Sequence, residues 1–247
     1  AGTTMPACPL HYRLGARALR RAPRIRCDTL YAVGGLYGNS FALSSLLERA
    51  NRETLRTQIV FNGDFNFLNC TPAWWRQINS EVRHGAVRGV PHVATLGNVE
   101  AEAATEHYDG CGCGYPSYTS PGVADRSDQI VRELHACAHA AGAAEFLPWL
   151  RGLPLGVVAE VGDRNVPVGI VHGDVDSLAG WALGVELIEP LDLKLRSELG
   201  CEPEHVTPRA VLLDWQREAG VDAILSTHTC LPFGQGLHGA ERREGRE

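Results

Sequence analysis

No apolar run in this 247-residue sequence approaches the roughly 20 residues that a membrane-crossing helix needs, so no membrane partner is expected. An excess of positive charge is also missing. The net charge of -6 argues against a general nucleic-acid binder, whose phosphate contacts require a basic surface. No apolar signal segment lies on either side of Met5. The eight cysteines sit in a chain too large to depend on a disulfide scaffold, so they read as reduced thiols in a cytoplasmic-type compartment. Acidic residues are absent from His11 to Arg26, a stretch that carries Arg13, Arg17, Arg20, Arg21, Arg24 and Arg26. That stretch reads either as a short basic surface helix or as an Arg-rich, acid-poor leader of the kind that directs chains to an organellar matrix.

What is present is an ordinary globular composition, 44% hydrophobic and 21% charged, at a length that suits one large α/β domain. No internal repeat or linker divides the chain. The expected organisation is a basic extension over 1–28, a domain over 29–233 and a polar tail over 234–247. Thr29–Val33 is β-rich, closes on Gly34 and Gly35, and precedes a helical stretch from Ser40 to Ala50. A second strand, Gln58–Phe61, runs into Asn62, Gly63 and Asp64. A helix over Pro72–Val82 then places Trp74, Trp75 and Ile78 on one side, with the tryptophans read as packing or as a stacking surface. A third strand, Val93–Leu96, stops at Gly97 and Asn98. Residues 109–121 read as a loop, and Asp125–Ala141 as a helix with Ile130, Val131 and Leu134 as its stripe. Val157–Val161 and Val166–Val171 read as a hairpin whose second arm enters His172, Gly173 and Asp174. A last helix over Pro208–Ala219 precedes a strand, Asp222–Leu225, that ends on the run Ser226–Cys230.

Strands that end in polar or glycine turns, with helices after the first two, predict a largely parallel sheet carrying functional groups at its carboxyl ends. Five such ends deliver Gly35 and Tyr37, then Asp64, then Asn98 and Val99, then His172, and finally His228 and Cys230. Carboxylate, amide oxygen and imidazole converging from several strands are what a hard or borderline metal requires.

In this order the motifs Gly34-Gly35-Leu36-Tyr37-Gly38-Asn39, Gly63-Asp64, Gly97-Asn98-Val99-Glu100, His172-Gly173 and Thr227-His228-Thr229-Cys230 resemble the calcineurin-like metallophosphoesterase superfamily. The resemblance spans residues 29–233. It implies a central β-sandwich flanked by helices and two metals, commonly Mn, Fe or Zn, that activate a water for attack on a phosphoester. Set against the family pattern, Gly35 and Tyr37 stand where an Asp and a His ligand belong, Val99 where the catalytic His belongs, and Cys230 where the last His belongs. The changes at Gly35, Tyr37 and Cys230 empty one metal position. The ligands of the other, Asp64, Asn98, His172 and His228, all remain, so the resemblance implies a single divalent ion, with Asp64 a ligand and central to catalysis.

Tyr37 enters as a hydroxyl for a bound phosphate or as a plug for the lost position, and Cys230 as a soft ligand or a buried thiol. Asn39, Glu100 and Asp174 are candidates to support the ligands from behind, although Asn39 and Ser40 also lie where a helix cap belongs. Cys111-Gly112-Cys113 reads as a metal or redox pair, or as part of a lid with Tyr115, Pro116 and Tyr118. The expected function is hydrolysis of a phosphomonoester or phosphodiester, with a phosphorylated small molecule or nucleotide as substrate. The alternative is an inactive domain of this family that binds a ligand or serves in an assembly, with a protein partner at the sheet edge.

Overall fold

The structure is a computed structural model that describes residues 12–108, 115–116, 118–140, 142–188, 197–198, 206–229 and 231–237. Among these residues the named elements follow in the order α1 (Ala16–Arg20), β1 (Arg24–Cys27), β2 (Thr29–Val33), α2 (Ser40–Asn51), β3 (Thr57–Asn62), α3 (Pro72–His84), β4 (Ala86–Val87), β5 (Val90–Pro91), β6 (Val93–Thr95), α4 (Asn98–Ala104), α5 (Pro121–Ala138), α6 (Leu147–Arg151), β7 (Gly156–Val161), β8 (Val166–Val171), α7 (Arg209–Ala219) and β9 (Ala223–Leu225). Among the described residues, no helix is long and apolar enough to cross a membrane.

The strands form two principal sheets. β2, β3 and β6 make a wholly parallel one, with Tyr31 opposite Ile59 and Val60 opposite Val93. The other is mixed, in the order β1-β7-β8-β9: β7 and β8 form the antiparallel hairpin read from the sequence, while β1 and β9 run parallel to their neighbours. β4 and β5 add a small antiparallel ribbon.

Side-chain alternation explains the layering. On β3 every residue is buried. Val60 packs with Val157, Ala159 and Ile170 of the mixed sheet, joined by Ile25, Leu30, Val93 and Leu225. Ile59 and Phe61 point the opposite way, into a cluster with Leu43, Trp75, Ile78, Val82, Leu134 and Leu150 from α2, α3, α5 and α6. Val158 and Val171 likewise turn outward onto Leu19 of α1 and onto Leu212, Trp215 and Ala219 of α7. Two sheets therefore pack face to face, with helices covering both outer surfaces. The centre of β3, Ile59–Phe61, is buried on both sides and apolar, and the buried polar residues Thr57, Gln58 and Asn62 that flank it have hydrogen-bonded side chains.

Three expectations need correction. Residues 12–28 are part of the domain: β1 pairs with β7 from Arg24 opposite Val158 to Cys27 opposite Val161, and Tyr12 and Leu19 are fully buried. Trp74 does not share the buried side of α3 with Trp75 and Ile78; it is 56% exposed, because a 3.6-residue turn directs adjacent positions about 100° apart. Helix α5 begins at Pro121, four residues before the expected start, where proline at a first-turn position costs no hydrogen bond.

Candidate metal centre

Asp64, Asn98, His172 and His228 follow β3, β6, β8 and β9, and the fold brings all four together. His172 is the hub. Its Nδ1 lies 2.8 Å from the Asn62 carbonyl oxygen, a pure acceptor, so that nitrogen carries the hydrogen and donates it. Its Nε2 then faces Asn98 Oδ1 at 3.1 Å, Asp64 Oδ1 at 3.2 Å and His228 Nδ1 at 3.2 Å. Candidate ligand atoms of Asp64, His172 and His228 all lie within 4.8 Å of one another, and all three residues are buried. Ligands held about 2.1 Å from a common ion sit roughly 3.0–3.4 Å apart in octahedral or tetrahedral geometry, so these spacings fit one divalent cation. A carboxylate, an amide oxygen and two imidazoles are donors that Mn, Fe and Zn all accept.

The electrostatics agree with the donor set. Burial pushes the Asp64 carboxyl up, but attraction and hydrogen bonding from His172, together with His228 and the Val99 N–H, outweigh it and hold Asp64 below its usual range. Burial disfavours a charge on His172, yet the Asp64 carboxylate and its hydrogen bond, with help from Asn62 and Glu100, raise its pKa. Burial, then the neighbouring His172, push His228 down to about 3, which leaves it a neutral imidazole. A cation in this place would compete with a proton on His172.

Backbone constraints explain the glycines in the motifs. Asp64 lies in the left-handed region at φ 53, and its N–H donates to Glu100 Oε2 at 2.6 Å. The Val99 N–H donates to Asp64 Oδ1 at 3.3 Å. A Cβ on Gly97 would stand 2.5 Å from the Asp64 nitrogen; one on Gly63 would stand 2.5 Å from the Gly97 Cα and 2.6 Å from His172 Nδ1. Only glycine allows these two turns to touch. Asp64 and Tyr37, both non-glycine residues at positive φ, concentrate backbone strain at the site.

Glu100 therefore stands directly behind Asp64, fully buried. Tyr37 donates its N–H to the Asp64 carbonyl at 3.2 Å, and its ring lies over Gly35, where a Cβ would meet Tyr37 Cζ at 3.3 Å. Two expectations are corrected. Asn39 is the N-cap of α2, its Oδ1 accepting from the Ala42 N–H at 2.9 Å, so it serves the helix and not the ligands; Ser40 is the first helical residue. Asp174 does not orient His172, because its oxygens accept from the N–H groups of Asp176, Ser177 and Ala182 and fold the loop over 174–182. Cys230, Cys111 and Cys113 lie outside the described residues.

Several contributors had no signature in the sequence reading. Asn62, fully buried, receives the His172 hydrogen bond on its carbonyl. Its Nδ2 donates to the Val171 carbonyl at 2.7 Å and to Thr227 Oγ1 at 3.0 Å, and its Oδ1 accepts from Thr95 Oγ1 at 2.7 Å. The one clue was a polar side chain directly after the apolar run Ile59–Phe61. Trp181, in the loop that Asp174 folds, packs its edge on His228 with centroids 4.9 Å apart. Tyr115 lies 5.6 Å from Trp181, and Tyr118 donates to Glu186 Oε1 at 2.9 Å, so both described tyrosines of the expected lid do meet the segment 181–186.

No protein-family model matches the sequence, and no curated protein matches it. Among solved structures the chain is similar to a hypothetical protein, PH1004, from Pyrococcus horikoshii OT3, at 14% identity and a TM-score of 0.46, with 84% of this chain and 71% of that one covered. That likeness assigns no activity.

Proposed function

We propose that the protein is a divergent member of the calcineurin-like metallophosphoesterases that holds one divalent ion and hydrolyses a phosphoester. The carrying observation is the convergence of Asp64 Oδ1, Asn98 Oδ1 and His228 Nδ1 on His172 Nε2 at 3.1–3.2 Å. Two sheets packed face to face, with every ligand at a strand's carboxyl end, support the same reading.

Asp64, Asn98, His172 and His228 would hold the ion, which supplies Lewis acidity and a water acidified towards neutral pH. The chain supplies the rest. Asn62 fixes the His172 tautomer, Glu100 and the Val99 N–H fix Asp64, and Trp181 backs His228. Beside the candidate ligands lies a cavity of about 180 Å³, lined by Asp64, Asn98, Val99, Trp181 and His228 and by the hydroxyl-bearing Tyr37, Tyr115, Ser127 and Thr229. Those hydroxyls are suited to hydrogen-bond a phosphate. Val99 offers no proton to a leaving group, and general acid help is typically worth about 10²–10⁴-fold, so turnover is expected to be slow on esters of poorly departing alcohols.

Elemental analysis should count about one Mn, Fe or Zn per chain, and p-nitrophenyl phosphate or its bis ester should be hydrolysed in a metal-dependent way that Asp64→Ala abolishes. Metal binding without turnover above that variant would leave the second reading, an inactive binding module. The Val99 and Gly35 replacements are what favour it.

A further inference from the structure

Four aromatic side chains border the cavity beside the candidate ligands: Tyr37, Phe67, Tyr115 and Trp181. They stand in two pairs, Tyr37 with Phe67 at 5.4 Å and Tyr115 with Trp181 at 5.6 Å between ring centroids, tilted by 54° and 41°. Their positions are fixed by the fold. Tyr37 is held by its N–H bond to the Asp64 carbonyl, and Trp181 by the Asp174-anchored loop and by its edge contact with His228. All four are only partly buried, which leaves ring surface open to a ligand. Rings on a cavity wall bury large apolar area in a ligand at little conformational cost and bind planar groups by stacking.

The volume narrows the guest. A cavity of about 150 Å³ is enough to admit benzene, so about 180 Å³ takes one six-membered ring. Its lining includes Asp64, Asn98 and His228 beside the four rings, so a ring seated among them brings its ester oxygen near the candidate ligands.

From this we infer that the cavity is an aryl subsite, and that the ester cleaved is one whose alcohol is a single planar ring. The inference rests on the hydrolase reading and adds the class of substrate. In the step, a water oxygen bonds to phosphorus and the bond between phosphorus and the aryl oxygen breaks. Its electron pair leaves on the aryloxide, and the water's proton passes to solvent. An aryloxide is stable enough to leave without a proton donor, which suits a pocket in which Val99 offers no proton.

The test is calorimetric titration of Mn-supplemented protein with phenylphosphonate and methylphosphonate, neither of which can be hydrolysed at its P–C bond. Stacking on an aromatic side chain predicts roughly tenfold tighter binding of the phenyl compound. Trp181→Ala should bring the ratio of the two affinities close to one, and Trp181→Phe should retain most of it. The ratio cancels any common loss at the ligands. Equal binding of the two compounds by the wild type, or a ratio unmoved by both Trp181→Ala and Tyr115→Leu, overturns the subsite. Tighter binding of 2-(trimethylammonio)ethylphosphonate than of the phenyl compound overturns it too, in favour of a cation-binding aromatic cage. Metal content of the same samples reads the hydrolase proposal separately: a preserved ratio without bound metal keeps the ring-binding cavity and removes the hydrolase.

Discussion

Gly63→Ala is expected to lower stability by about 3 kcal/mol or more and to strip the protein of its metal affinity. Two costs combine. The residue sits at φ +74, where a side chain strains the backbone, and the added carbon would stand 2.5 Å from the Gly97 Cα and 2.6 Å from His172 Nδ1. Neither neighbour is the free end of a flexible chain: one is backbone, and the other is a ring pinned by its bond to Asn62. Gly89→Ala is the control, since Gly89 has φ +81 but open space around its missing Cβ. It should cost only the conformational part, about 1–2 kcal/mol, and leave metal binding alone. Urea unfolding of both variants, with metal content measured alongside, separates strain from collision. Equal loss in the two would show that contact between the glycine turns is unimportant.

Replacing Glu100 should have effects that depend on what replaces it. Its pKa is pushed up from an ordinary 4.5 to about 8, first by burial and then by the charge on Asp64. Its second oxygen, Oε1, is buried with no hydrogen-bond partner among the described residues. A folded-state pKa raised above the unfolded one means that the group's stabilising contribution is complete below about pH 4.5 and is lost as pH rises towards 8. Glu100→Gln keeps an acceptor for the Asp64 N–H and removes the titration. In metal-free protein the melting temperature of wild type should therefore fall relative to this variant between pH 5 and pH 8, the gap being small at the acid end. Glu100→Ala should cost about 2–4 kcal/mol throughout that range, because it leaves the Asp64 N–H unpaired and opens a cavity. Parallel melting curves for wild type and the Gln variant at both pH values would contradict the buried-acid account.

The strands and the four candidate ligands were legible because each leaves a local mark. A β-rich run that stops on glycine reports both a strand and the turn after it, and β2 and β7 lie within a residue of where that rule puts them, while β8 is marked as the second arm of a hairpin. Glycines that precede Asp64 and Asn98 mark backbone approaches that the folded chain makes. β1 was hidden by charge: Arg24 and Arg26 face solvent, so its four residues read as basic surface and not as a strand. Asn39 and Ser40 are both good cap residues, and only the backbone angles decide between them. Asp174 sits two residues from a ligand, yet the chain turns so that its oxygens meet N–H groups further along. Trp181 lies in a loop with no periodicity, and a side chain brought in from a distant loop leaves no trace in sequence spacing.

Asp64 and Asn98 emerge from the parallel sheet, while His172 and His228 emerge from the mixed one. An ion shared by the four would act as a rivet across the seam between the two layers, and only the assembled sandwich can offer it a seat. Occupancy and folding would then be one equilibrium: at a free ion concentration one hundred times the dissociation constant, the folded chain gains about 2.7 kcal/mol, and the unfolding temperature climbs as the ion is added. Chelation would loosen the two layers from each other before it disturbed either sheet alone.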